Sequence, residues 1–415
     1  MPEFNLPTIP QPAAKRLAIH ISTAAKRSIR KGHPWLFDGA IRRQSHEGQS
    51  GDLAVVFDGQ RRFLAIGLYD PHSPIRVKIL HHHTPTPIDS DFFRHKIATA
   101  ASIRSPLPET GTTGYRLIHG ENDGLPSLIV DRYGDTLVMK LYTTAWIPHL
   151  SDVLPSLVEI QPTQRLILRL SRSVQDQPEL CYGLADGQVL YGSELAGDTR
   201  FTENGLTFAA DVVHGHKTGF FFDQRDNREL VGRYSRGKSV LDVFAYTGGF
   251  SVYAARGGAN SVLSLDVSEP ALLAAKQNIA LNMDDPQVVA CQHDVMAADA
   301  FSGLQELADA GRSFDMVVVD PPSFANSADQ IGGALKSYAR LTTLALAVLK
   351  PQGMLVMASC SSRVSADEFF ATVTDAANAA GRMLLVHQRT AHALDHPIGF
   401  PEGAYLKCLF GTTVE

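Results

Sequence analysis

Cysteine is scarce. The 415 residues hold four, Cys181, Cys291, Cys360 and Cys408, far apart and without a CxxC pair. That argues against a disulfide framework or a cysteine-held zinc site and fits a reducing cytoplasm. No apolar run is long enough to cross a bilayer, so no membrane is expected. The opening residues, MPEFNLPTIPQPAA, lack the basic start and apolar middle of a signal peptide, and their prolines predict a disordered tail over 1–14. A GxGxxG dinucleotide fingerprint is missing. Three adjacent histidines open HHHTPTP (81–87), but chain neighbours point in different directions, so no metal is expected. The two prolines make that stretch a linker.

Charge of one sign does not dominate the whole chain, which carries a net −5. It is uneven, however: residues 1–85 hold 12 Lys and Arg against 6 Asp and Glu. A basic N-terminal module on an acidic body suits a polyanion contact, or is simply a solvated face. With 44% hydrophobic and 20% charged residues, the composition is that of a globular protein of two or three domains.

Three regions are expected. Over 15–85, RLAIHIS, DLAVVFD, RRFLAIGLYD and IRVKIL read as short strands of a small β-barrel. Over 86–200, FFRHKIATAASIR reads as a helix, and TGYRLIHGENDGLPSLIVDRYGDTLVMKLYT as three strands joined by turns at ENDG and YGD. This is a middle α+β domain. Over 201–415, strands and helices alternate: SVLDVFAY, SVLSLDVS, QVVACQHD, FDMVVVD and GMLVMASCS are strands with helices between, and RMLLVHQRT is a final β segment. Repeated βα units predict a doubly wound, mainly parallel α/β sheet. Such sheets bind ligands at the carboxyl ends of their strands. That puts Asp242, Asp266, Asp294, Asp320 and Cys360 along one rim.

The first strand runs into LDVFAYTGGFS (241–251), a Gly-rich turn before a helix. Asp242 would be awkward beside a pyrophosphate and suits a cationic ligand such as the amino group of S-adenosylmethionine. Asp266, ending the second strand, can accept from ribose hydroxyls. Asp294, read as the end of the third, can accept from the adenine amine. The cofactor candidates are Asp242, Phe244, Tyr246, Thr247, Gly248, Asp266, Asp294 and Asp320.

The fourth strand ends in DPPS (320–323), whose prolines stiffen the turn and present Asp320 rigidly. The fifth ends in SCSS (359–362), just before the SADEFF helix, where a helix N-terminus would lower the Cys360 pKa. A thiolate added to cytosine C6 would make C5 nucleophilic, which is covalent catalysis. Asp320 is then the partner at N3 and the exocyclic amine, and His396 or Asp320 the base for the C5 proton. Locally, Cys360 as a small buried hydrophobe is equally good.

KGHPWLFDGAI (31–41), RLIHGENDGLPSLIVDRYGD (116–135), GHKTGFFFDQRDNR (215–228), LDVFAYTGGFS, VVDPPSFA (318–325), SCSS and DHPIGFPEGAYLK (395–407) occur in this order. Together they resemble the bacterial large-subunit ribosomal RNA cytosine-C5 methyltransferases that carry an N-terminal PUA domain. The resemblance implies a PUA domain over 15–85, a class I S-adenosylmethionine-dependent fold over 201–415 and Cys360 as the nucleophile. It implies large-subunit ribosomal RNA as partner, and that GHKTGFFFDQRDNR lies near cofactor and substrate; Lys31, His33, Lys217, Arg225, Pro321 and Pro322 are the candidate RNA contacts. Trp35 is a further candidate contact or a core residue. Lys217, Arg225 and three phenylalanines in GHKTGFFFDQRDNR suit a nucleic-acid strand, or a hairpin with a salt-bridged face. One departure is Ser323, where another branch of RNA cytosine-C5 methyltransferases has a second cysteine. A base-nitrogen methyltransferase using DPPS, a non-catalytic RNA-binding assembly protein and, further off, a dehydrogenase are the competing readings. A homodimer is left open.

Overall fold

Alternating apolar residues build two sheets in the first half of the chain. The computed structural model describes residues 3–414. Its contacts divide the chain into Met1–Thr202, Ala210–Phe220 and Leu394–Pro401 as one unit, and Glu203–Ala209, Phe221–Ala393 and Glu402–Glu415 as the other.

In the first unit, six short strands between Leu17 and His82 make a mixed sheet, with the amphipathic helix Thr23–Arg30 following the first strand. Five more, between Gly114 and Gly192, make a second sheet accompanied by helices Ser90–Arg104 and Leu150–Ile160. The two share one core. Leu53, Ile66, Leu68 and Leu80 of the first sheet cluster with Phe93, Ile97, Trp146 and Leu154 of the second region.

Two stretches differ from the sequence reading here. Residues 3–14, expected to be a disordered tail, lie against this core. Phe4, Leu6 and Ile9 pack on it, Asn5 N donates to Leu190 O at 2.8 Å, and Ala13 N donates to Asp52 Oδ1 at 2.9 Å. Three apolar side chains outweigh the prolines. His81 and His82, expected in a linker, end the strand Ile75–His82. No group of metal-ligating side chains occurs among the described residues.

The second unit is a seven-stranded sheet: β1 (Ser239–Val243), β2 (Ser261–Asp266), β3 (Gln292–Ala297), β4 (Phe314–Val319), β5 (Leu349–Ser359), β6 (Met383–Thr390) and β7 (Lys407–Val414). Their order is β3-β2-β1-β4-β5-β7-β6, and β7 is antiparallel to both neighbours. Both faces are buried, as in other parallel sheets. Leu241, Val243, Val317 and Leu355 face one apolar cluster, while Val240, Met316, Val318 and Val356 face another. The order reverses direction at β1 and β4, the switch point where doubly wound sheets hold ligands.

The third strand lies farther along the chain than the sequence suggested. Pro286, capped by Asp285, starts the short helix Pro286–Ala290, and the strand is QHDVMA. No helix among the described residues is long and apolar enough to cross a membrane.

Candidate active site

Parallel strands bring their C-terminal ends to one edge. Asp242 is the penultimate residue of β1, Asp266 the last of β2, Asp320 the first after β4 and Cys360 the first after β5. Asp294 does not join them. It pairs with Leu263 in mid-strand, three positions before the level where Asp266 pairs with Ala297, and it is exposed. Asp299, missed by the sequence reading, comes two residues past the end of β3 and caps the helix Ala300–Asp309.

Asp242 has no exposed surface. Its Oδ2 accepts from Ser251 N (3.1 Å) and Ser251 Oγ (2.7 Å) at the start of helix Gly249–Arg256. Its Oδ1 is buried and has no protein donor, and Thr247 Oγ1 nearby in sequence is in the same condition. Burial pushes the Asp242 carboxyl up to about 7. A buried carboxylate oxygen without a donor is costly, so the site fits a ligand that brings one.

The loop between β1 and this helix is tightly wound, with Phe244 and Tyr246 at φ of 64° and 48°. Gly248 sits at φ 76°, and a Cβ there would stand 2.8 Å from Ala275 Cβ. Asp266 fixes the loop: its two oxygens accept from Tyr246 N and Ser268 N, both at 2.9 Å.

Asp320 is reached by a directed chain of side-chain hydrogen bonds. Thr390 Oγ1 donates to Asn227 Oδ1 (2.5 Å), Asn227 Nδ2 to Gln224 Oε1 (2.6 Å), and Gln224 Nε2 to Asp320 Oδ1 (2.8 Å). Gln224 must therefore turn its amide nitrogen towards the aspartate. Burial, then the neighbouring Asp223 carboxylate, pushes the Asp320 carboxyl up to about 7. Asp223 itself accepts from Tyr405 OH at 2.8 Å. Sequence reasoning missed Asp223, Gln224, Asn227, Thr390 and Tyr405. The run of amides and acids in FFFDQRDNR was the visible signal for Asp223, Gln224 and Asn227.

Cys360 is half-buried, with Sγ 3.8 Å from Pro321 O of the DPPS turn. Its neighbours are tied down. Tyr338 OH bonds both Ser359 Oγ (2.8 Å) and Ser361 Oγ (3.1 Å), and Ser361 Oγ also meets Ser323 Oγ at 3.0 Å. Ser323 thus joins the two loops. Lys407, on the strand paired with Ser359, donates from a buried Nζ to the carbonyls of Ser361, Val364 and Tyr405. The following helix does not start at Cys360. Its first residue is Ala366, and a capping box of Ser365 and Glu368 occupies its N-terminus.

The other expected RNA contacts belong to both units. Pro322 is exposed and Pro321 buried. Lys31, His33 and Lys217 belong to the first unit. Lys31 and Lys217 are exposed, while the His33 ring meets Trp35 and Phe400 edge-on. Trp35 is half-buried and donates from Nε1 to Glu121 at 2.9 Å. Arg225 is 2% exposed and pairs with Asp226, so it is not a surface contact. His396 also belongs to the first unit, 1% exposed against the His119 ring, outside the unit that contains Cys360.

Residues 19–82 match the model of a PUA-like domain, and residues 186–409 that of an S-adenosylmethionine-dependent methyltransferase. A ribosomal RNA large subunit methyltransferase of Deinococcus radiodurans is 46% identical over 407 residues, 97% of this chain and 98% of the relative. The chain belongs to the large-subunit ribosomal RNA methyltransferase family. Ribosomal RNA large subunit methyltransferase I of Pseudoalteromonas translucida is 37% identical over 94% of this chain and 98% of its own. The fold recurs in a proposed S-adenosylmethionine-dependent methyltransferase from Streptococcus mutans, at TM-score 0.79 and 19% identity over 95% of this chain and 99% of that one. It recurs in SMU.776 complexed with SAH, at TM-score 0.80 and 19% identity over 96% and 99%.

The orphan oxygens of Asp242 and Thr247 fit a ligand carrying an amino group, and S-adenosylmethionine is the cofactor.

Proposed function

We propose that this methyltransferase places a methyl group on C5 of a cytosine in large-subunit ribosomal RNA, in the cytoplasm, with Cys360 as nucleophile. The observation that carries this reading is the position of the Cys360 thiol at the DPPS turn, 3.8 Å from the carbonyl of Pro321, the residue after Asp320. When bound, S-adenosylmethionine supplies an electrophilic methyl group. Asp242 and Thr247 would hold its amino-acid end, and Asp266 its ribose.

The chain's own residues do the rest. The Cys360 thiolate adds to C6, and the C5–C6 electron pair becomes available at C5 for the methyl group. Protonated Asp320, with Oδ1 held by Gln224, donates from Oδ2 to N3 and stabilises the adduct. The Asp320–Asp223 pair, ionised by that donation, takes the C5 proton, and N3 gives up its proton to solvent. The C6–S bond then breaks, which restores the ring and the thiolate. Ser323 bonds Ser361 and the Ala325 carbonyl, a linking role rather than a second nucleophile.

The test is methylation of protein-free large-subunit ribosomal RNA by wild type and Cys360→Ala, followed by digestion and mass analysis of nucleosides. 5-Methylcytidine from wild type alone is expected. A methylated product that survives the alanine change would mean nitrogen methylation with Cys360 as packing.

A further inference from the structure

A helix N-terminus is the usual means of holding a cysteine as thiolate, and here that means is already taken. Glu368 accepts from Ser365 N (3.0 Å) and Ser365 Oγ (2.6 Å), so the dipole of helix Ala366–Ala379 has its own anion. Another positive group stands closer to the loop. Lys407 opens β7 opposite Ser359, the residue before Cys360, and its Nζ bonds the carbonyl of Ser361, the residue after. Val364 O (2.6 Å) and Tyr405 O (3.1 Å) complete its shell. All three acceptors are neutral. Lys407 is 3% exposed. A buried ammonium that meets only carbonyls is expensive unless an anion lies near.

We propose that Lys407 is a positioning residue that holds Cys360 as a thiolate ready to attack, an inference that rests on Cys360 being the nucleophile. The proton leaves the thiol to solvent, and the thiolate is the counter-charge of Lys407. Burial brings the Lys407 ammonium down to about 8, and the Cys360 and Glu368 anions work against that fall. Glu368 is committed to its cap, which leaves Cys360 as the anion Lys407 can gain.

Other ionisable groups lie around the pair. Asp320 after β4 opposes thiolate formation once ionised, and its high pKa keeps it partly protonated at neutrality. Tyr338, from helix Ile331–Ala347, is neutral, with its phenol pushed up by burial. Tyr405, which bonds Asp223 and meets the His392 ring in a T-shaped contact, supplies its carbonyl.

The experiment reads the thiol directly. Full-length wild type, Lys407→Met and Lys407→Arg are alkylated with iodoacetamide across pH, and the Cys360 peptide is followed by mass spectrometry. The wild-type midpoint is expected below the ordinary cysteine value of about 8.5. Lys407→Met should raise it by about one unit or more, which is about tenfold less thiolate at neutral pH. Lys407→Arg, which keeps the charge and changes the fit, should stay near wild type. Methyl transfer by Lys407→Met should fall about tenfold at pH 7 and recover as pH rises. An unchanged midpoint in folded Lys407→Met overturns the proposal. If that variant does not fold, an ordinary midpoint in wild type overturns it instead. Cys360→Ala keeps the two readings apart. A Lys407-dependent midpoint together with an active Cys360→Ala would sink the nucleophile and spare the electrostatic coupling.

Discussion

Asp242 and Asp320 show how one residue type does two jobs on the same sheet edge. Both carboxyls are raised to about 7, but their free oxygens differ in purpose. Asp242 gives Oδ2 to Ser251 and leaves a buried Oδ1 without a protein donor. Asp242→Asn should bind S-adenosylhomocysteine at least about tenfold more weakly in calorimetry, because a hydrogen bond to a charged group is worth about 1.5–3 kcal/mol. Its stability should also respond to pH with a definite sign. Folded Asp242 keeps its proton between about pH 4 and 7, where the unfolded chain has lost it, so stability falls as pH rises through that window. Denaturant melts of Asp242→Asn should show a shallower fall, the difference being about 3–4 kcal/mol. An equally steep fall would mean that Asp242 ionises normally in the fold. Asp320→Asn keeps the acceptor that Gln224 needs but cannot give up or take a proton. The rate of methyl transfer should drop by about 10²–10³ with little change in melting temperature, and a near-normal rate would remove Asp320 from the chemistry.

The loop after β1 is an element with almost no freedom. Gly248→Ala meets both a left-handed backbone and the Ala275 methyl at 2.8 Å. It should cost about 1–3 kcal/mol of stability and weaken cofactor binding together, and thermal melts with and without S-adenosylhomocysteine read both. An alanine variant as stable as wild type would show that the loop can shift. The same elements show what a sequence can tell. Four of the five parallel strands were legible because each is an apolar run followed by an acid or a turn, and that alone brought Asp242, Asp266, Asp320 and Cys360 to one edge. β3 was misplaced because VVAC looks more like a strand than QHDVMA, yet Pro286 and its cap make VVA helical. An edge strand with exposed positions has a weak pattern, and Asp294 was misassigned with it. β7 was missed because its start, Lys407, is charged, and only the fold shows three carbonyls waiting for that charge. The amide chain from Thr390 to Asp320 spans 163 positions in its first link and 96 in its last, which no local pattern reveals.

Across the whole molecule the charge is divided between the basic first 85 residues and an acidic remainder. The structure sorts those cations. Lys26, Arg30 and Arg62 surround the buried Asp58, Lys78 is buried against Asp70, and Arg76 pairs with Asp38. Arg27, Lys31, Arg42 and Arg43 remain on the exposed surface. If this face meets ribosomal RNA through phosphates, affinity must fall with salt, since each neutralised phosphate releases counterions and adds about 0.7–0.9 to the slope of log affinity against log salt. Lys31→Ala and Arg43→Ala should each lower that slope by about one and weaken binding across unrelated RNA sequences. Arg62→Ala, whose charge is already held by Asp58, should leave the slope where it is. Titration of labelled large-subunit RNA fragments between low and physiological salt separates the two groups. A slope near zero for wild type, or an equal loss for Arg62 and Lys31, would make the positive face a solvated surface and move RNA recognition to the acidic half of the chain. There, contacts would depend on base stacking and on the DPPS turn, and binding would hold at high salt.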